Sequence, residues 1–165
     1  MQPLEAVPFF YNPRILSKTE PMATVRKTVL VLHSAEQMYE LVRDVSAYPQ
    51  FLPWCGGVDV HESSAESMRA TLRIDFKGVR QSFTTANTQI PGRAIDMQLV
   101  DGPFTKFQGH WRFVPLQDGE ACQIDFALEY HFASRLVEAV IGPVFHHIVN
   151  TFVDAFVRRA DAVHG

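Results

Sequence analysis

The sequence predicts an α+β fold in which a curved antiparallel sheet of about seven strands surrounds one long C-terminal helix. Three observations predict it. Period-2 segments follow one another from residue 58 to residue 132, separated by gaps of turn length. One strand pattern and two short helical patterns precede them. An apolar segment of helical period, running from Ser134 to about Val163, closes the chain. Consecutive strands joined by tight turns pair as an antiparallel meander. A helix that is apolar over more than half its circumference must be covered, and the inner face of the sheet is the surface that can cover it. The gap between the two is the natural place for an apolar ligand.

The elements follow in order. Residues 24–32 alternate and are rich in β-branched side chains, which reads as a first strand. Ser34 supplies an N-cap, and Gln37 completes a capping-box pattern for a helix that begins at Ala35. Met38, Leu41 and Val42 give that helix its apolar side. A second short helix is expected from about Ser46, closing before Pro53. Strands are then expected over 58–62, 68–76, 79–87, 95–99, 107–113 and 122–132. In the cleanest of them Met68, Ala70, Leu72, Ile74 and Phe76 alternate with Arg69, Thr71, Arg73 and Asp75. Lys77-Gly78, Pro91-Gly92, Asp101-Gly102-Pro103 and Asp118-Gly119 mark the turns. Gly142-Pro143 is expected to kink or interrupt the last helix.

At 165 residues the chain is expected to hold one domain, residues 22–165, behind a flexible leader of residues 1–21. The leader carries Pro3, Pro8, Pro13 and Pro21 without a sustained period, and Phe9, Phe10 and Tyr11 are its candidates for docking on the domain. Met22 stands just before the first strand and is a candidate native start. A net charge of −3 argues against a strongly cationic nucleic-acid binder but leaves room for a local basic patch. Cys55 and Cys122 belong to no CxxC or Cys/His cluster and are expected as reduced thiols. No metal site, cofactor or catalytic constellation is expected, because no nucleophile stands with its base and no phosphate loop is present. No run of about 18 apolar residues and no signal-peptide pattern stand out, so a soluble cytoplasmic protein is expected, with peripheral contact at an inner membrane left open.

Two proline- and aromatic-rich stretches stand out, Asp44-Val-Ser-Ala-Tyr-Pro-Gln-Phe-Leu-Pro-Trp-Cys55 and Leu99-Val-Asp-Gly-Pro-Phe-Thr-Lys-Phe-Gln-Gly-His-Trp111. With Ser34-Ala-Glu-Gln-Met-Tyr-Glu-Leu-Val, Phe83-Thr-Thr, Trp111-x-Phe and the terminal amphipathic helix, they resemble the coenzyme Q-binding/RatA branch of the START-like (helix-grip) superfamily. That branch has carried the label polyketide cyclase/dehydrase. The resemblance runs from Met22 over nearly all of 22–165. It implies a helix-grip fold around an apolar tunnel, and two roles of different class. Some relatives bind ubiquinone-like isoprenoid lipids and support cellular respiration. The bacterial RatA relative is a toxin of toxin–antitoxin type that binds the large ribosomal subunit and blocks subunit association.

Three readings follow. The leading one is non-catalytic binding of a hydrophobic small molecule such as ubiquinone or another isoprenoid lipid. Its expected lining is Phe76, Phe83, Met97, Phe107, Trp111, Phe126 and Tyr130 on the strands, facing Val140, Val144, Ile148 and Phe152 on the last helix. Gly109, by lacking a side chain, is expected to leave room on the inner face, and Tyr48, Pro49, Phe51, Leu52 and Trp54 are expected to form a rim. Trp111 and Tyr130 are candidates to point a polar tip at a quinone oxygen. The alternative is RatA-type ribosome association, with Arg69, Arg73, Lys106 and Arg112 as a basic patch if their strands lie close, and no DNA partner. The third is a cyclase/dehydrase, for which His146, His147 and Asn150 are the obvious acid/base candidates.

Overall fold

The computed structural model describes residues 23–165. The expected leader, residues 1–21, and the candidate start at Met22 lie outside the described residues. The strands are β1 (Ala23–Val31), β2 (Cys55–Ser63), β3 (Ser67–Phe76), β4 (Val79–Ile90), β5 (Ala94–Asp101), β6 (Phe104–Leu116) and β7 (Ala121–Phe132). Helix α1 spans Ala35–Arg43 and helix α2 spans Arg135–His164, with short 3-10 turns at Val45–Gln50 and Gln117–Gly119.

All seven strands form one antiparallel sheet in the order β1-β7-β6-β5-β4-β3-β2. From β2 to β7 each strand pairs with the next, and β1 then adds beside β7. At the β3–β4 turn Lys77 (φ 51°) and Gly78 (φ 81°) both take positive φ, the geometry that matches a two-residue hairpin to the right-handed twist of its strands. Strand β2 begins earlier than expected, because Cys55 to Gly57 pairs with β3 across a register irregularity that alternation cannot reveal.

Alternation sorts the two faces. On β7, Ile124, Phe126, Leu128, Tyr130 and Phe132 are buried, while Gln123, Asp125, Glu129 and His131 between them are half-buried. Helix α2 lies on the inner face and buries Ile141, Phe145, Ile148, Val149, Val153, Phe156 and Ala160. Two aromatic anchors hold it. Phe145 sits 4.9 Å, centroid to centroid, from both Phe104 and Tyr130. Phe156 lies 5.3 Å from Tyr48 and from Phe51, and 5.6 Å from Trp111. Tilted and edge-on aromatic pairs of this kind contribute roughly 0.5–1.5 kcal/mol each beyond their burial.

Both helices start as the sequence indicates. Ser34 Oγ accepts from Gln37 N and Gln37 Oε1 accepts from Ser34 N, each at 3.1 Å. Ser134 Oγ accepts from Val137 N at 3.1 Å. The expected interruption at Gly142-Pro143 is absent, since α2 runs unbroken through both. Pro143 removes the donor that would reach the Ala139 carbonyl. Ala139 is exposed, so solvent can serve that carbonyl, while Ile141 and Phe145 hold the helix to the sheet on either side. By length and composition alone α2 is apolar enough to cross a bilayer, although no run of about 18 consecutive apolar residues stands out in it. Here one side of it packs into the domain.

Cys55 and Cys122 are free and buried. Burial, with Glu36 adding a smaller push, raises the Cys122 thiol from 9.0 to about 11, and burial raises Cys55 as well. Between those values the unfolded chain gives up the Cys122 proton and the folded protein keeps it, so stability falls as pH rises from about 9 towards 11. Urea unfolding across that range should show a declining midpoint, with a shallower decline in Cys122→Ala. An identical slope in the variant would place the thiol in water.

Candidate functional site

Between the inner sheet face and α2, in the stretch separating the two aromatic anchors, lies a cavity of about 60 Å³. That is room for a few waters. Small-molecule sites typically run to roughly 300–1,000 Å³, so the tunnel that the resemblance implies is largely closed.

Phe83, Met97, Phe107, Phe126, Ile148 and Phe152 reach the wall, as do Tyr48 and Trp54 from the expected rim. Phe76, Trp111, Tyr130, Val140 and Val144 do not. Val140 is 61% exposed, because it lies on the side of α2 turned away from the sheet. Val144 is half-buried beside it. Phe76, at the end of β3, stacks on His147 at 5.9 Å. Trp111 is fully buried among Phe113, Phe126, Phe152 and Phe156, and its Nε1 has no hydrogen-bond partner among the described residues. Tyr130 bonds through its hydroxyl to Nδ1 of His146. Of the other rim residues, Leu52 is core, Pro49 is exposed, and Phe51 lies under the Arg159 guanidinium at 5.1 Å from its centroid.

Several wall residues were not anticipated. Val42, Arg43 and Val45 come from the end of α1 and the turn after it, Leu72, Thr85, Asn87, Ile95 and Leu128 from the sheet, and Phe145 and Val149 from α2. The signal for Asn87 was its place on the inward stripe Phe83, Thr85, Asn87, where a polar residue is conspicuous. For α2 no signal fixed the phase, because apolar side chains surround most of the helix.

The ionisable groups on the wall are Arg43 and Tyr48. Tyr48 donates its hydroxyl proton to the Val42 carbonyl, and burial pushes its pKa far above the ordinary phenol value. Arg43 lies 3.5 Å from Glu40. The candidate acid/base group His146, His147 and Asn150 stands off the wall, and Asn150 Nδ2 donates to the His146 carbonyl at 2.7 Å. The wall carries, among the described residues, no His, Asp or Glu side chain to form an acid/base pair. Among the described residues no three His, Cys, Asp or Glu side chains are grouped to hold a metal ion.

Two expectations about particular residues are corrected. A Cβ on Gly109 would lie 2.4 Å from Met97 Cε and 3.3 Å from Leu128 Cδ1, so the space left by the missing side chain is already filled by Met97. Nor do Arg69 and Arg73 join Lys106 and Arg112. Strands β3 and β6 are separated by β4 and β5, about 14 Å of sheet. Each cation also has an acid beside it: Glu62 for Arg69, Asp59 for Arg73, Glu129 for Lys106 and Asp96 for Arg112.

Residues 31–157 match the family model described as polyketide cyclase/dehydrase and lipid transport. The chain is 44% identical over 144 residues to the ribosome association toxin RatA of Vibrio cholerae, spanning 87% of this chain and 99% of that protein. It is 31% identical over 135 residues to the mitochondrial coenzyme Q-binding protein COQ10 homolog B of Xenopus laevis, spanning 80% of this chain and 55% of that protein. The solved aromatase/cyclase ZhuI of Streptomyces sp. R1128 matches with a TM-score of 0.74 at 20% identity, over 86% of this chain and 94% of that one. At that identity the likeness concerns the fold.

Gly109→Ala should force Met97 aside and cost about 1–3 kcal/mol, the usual penalty for overpacking. Met97→Ala in the same chain should recover part of that loss, as read by urea unfolding of both single variants and the double variant. Strict additivity would mean that Met97 does not occupy the space over Gly109.

Proposed function

The chain belongs to the polyketide cyclase/dehydrase and lipid transport family, with a START-like fold, and from that premise we propose that it acts as a RatA-type protein that associates with the ribosome. On this reading it binds the large subunit and hinders its joining to the small one. The observation that carries the reading is the 44% identity to a ribosome association toxin, sustained over 99% of that protein's length. The size of the enclosed cavity supports it, since about 60 Å³ does not accommodate an isoprenoid chain as it stands. So does the wall chemistry, which supplies no acid/base pair for a cyclase or dehydrase.

A second reading, binding of a hydrophobic small molecule such as a quinone, is favoured by a different observation. Most of the cavity wall is apolar or aromatic, and a coenzyme Q-binding protein is among the relatives. The two readings use different parts of the molecule, a surface for one and the interior for the other.

Purified protein mixed with ribosomal subunits under joining conditions should sediment with the large subunit in a sucrose gradient and reduce the joined fraction. Protein that stays at the top of the gradient and leaves joining unchanged would overturn ribosome association. Organic extraction and mass spectrometry of the same preparation test the second reading, which expects a stoichiometric isoprenoid.

A further inference from the structure

Two neutral polar side chains of the cavity wall stand on one strand. Thr85 and Asn87 occupy successive inward positions on β4, and both lie on the wall. Oδ1 of Asn87 is buried and has no hydrogen-bond partner among the described residues. A buried amide left unpaired costs free energy, and native structures hold few of them without a purpose. Thr85 is itself only 4% exposed. Phe83, Ile95, Phe107 and Leu128, on the same wall, offer no side-chain hydrogen bond.

Met97 shapes the space beside this pair. It stands opposite Asn87 in the β4–β5 register and opposite Gly109 in the β5–β6 register. Its terminal methyl lies where a Cβ on residue 109 would be. A thioether chain is flexible enough to lie over the glycine in this way. With any side chain at 109, Met97 would have to turn elsewhere, and the space beside it is the cavity. Arg43, on the same wall, is a third exposed and is held to Glu40 at 3.5 Å, so it can swing into solvent as a ligand enters. A cavity of about 150 Å³ holds a single aromatic ring, more than the 60 Å³ here, so a ring enters only as Met97 and Arg43 give way.

We propose that Asn87 and Thr85 form a head-group site for a small apolar molecule bearing one hydroxyl or carbonyl. The apolar body of that molecule lies along Phe107, Leu128 and Ile148 towards the mouth. A half-turn of the Asn87 amide presents either its oxygen or its nitrogen, so both kinds of head are served. This rests on the small-molecule reading of the cavity and is independent of ribosome association.

Phenol and toluene make the test, because they match in size and differ in one hydroxyl. Each is titrated into the full-length protein and followed by amide chemical shifts. Phenol should bind several-fold more tightly than toluene, with shifts centred on β4 and β5. Asn87→Leu, which keeps the size of the side chain, should remove that preference by weakening phenol several-fold and leaving toluene unchanged. Thr85→Val gives a second, milder variant should Asn87→Leu fold poorly, and it should narrow the preference. Gly109→Ala should weaken both compounds together. Equal binding of phenol and toluene, or a phenol preference that survives both β4 variants, would overturn the head-group assignment while leaving the cavity a ligand site. Absence of binding by either compound up to its solubility limit would overturn the small-molecule reading with it.

Discussion

Everything in this domain depends on the contact between α2 and the concave face of the sheet. The sheet presents one apolar face, so it cannot stand in water alone. The helix carries apolar residues around most of its surface, so it cannot either. The contact is made at two aromatic anchors, Phe145 and Phe156, eleven residues apart and therefore about 16 Å along the helix axis. At one, Phe145 is ringed by Phe83, Phe104, Phe107, Tyr130 and Phe132. At the other, Phe156 meets Tyr48, Phe51, Trp111 and Phe152. Between the anchors the curved sheet and the helix leave a gap that Ile148, Val149 and Phe152 line without filling. The cavity is the geometric consequence of holding one helix to a curved sheet at two points.

The outer face follows a different rule. Several of its arginines are matched with carboxylates, as in Arg69 with Glu62, Arg80 with Asp75 and Arg112 with Asp96. Exposed pairs of this kind contribute little to stability, about 0–1 kcal/mol each. Their larger effect is local, since each carboxylate offsets the field of the cation beside it. Arg159 behaves differently. Its guanidinium lies over Phe51 and donates to Gln50 Oε1 at 2.9 Å, tying the turn after α1 to the end of α2.

Architecture was legible in the sequence because it rests on local signals. The alternation of β3, the Lys77-Gly78 turn, the capping box at Ser34 and the N-cap at Ser134 each report on a few neighbouring residues. The site was legible only in part, because it depends on how elements meet. Alternation identified Phe83, Phe107 and Phe126 as inward-facing, and all three reach the wall. It could not say that Trp111 and Tyr130, equally inward, would be taken up by the aromatic packing. On α2, the stripe Val140, Val144, Ile148 and Phe152 is right at Ile148 and Phe152, which line the wall, but one residue off at Val140 and Val144, where Ile141 and Phe145 turn inward. An amphipathic helix declares its phase through its polar residues, and α2 has few in its first half. The Asp44–Cys55 stretch was conspicuous for another reason: Tyr48, Leu52 and Trp54 are buried in the core while Pro49 and Gln50 between them face solvent.

That last stretch is also where the interior and the surface are mechanically joined. Tyr48 and Trp54 belong to the cavity wall, and Gln50 and Phe51 are held from outside by Arg159. A molecule that enlarged the cavity at Tyr48 would press on the hydrogen bond from its hydroxyl to the Val42 carbonyl and on the ring of Phe156 behind it. The exposed residues of the turn would have to follow, because Tyr48 and Gln50 are two residues apart in a single 3-10 turn. Linkage then sets a symmetric condition. Any partner whose affinity depends on the position of this turn must change the affinity of the cavity for its ligand by the same factor. A ligand in the interior and a partner on the surface at this turn therefore act independently only so long as the turn between Val45 and Gln50 stays rigid.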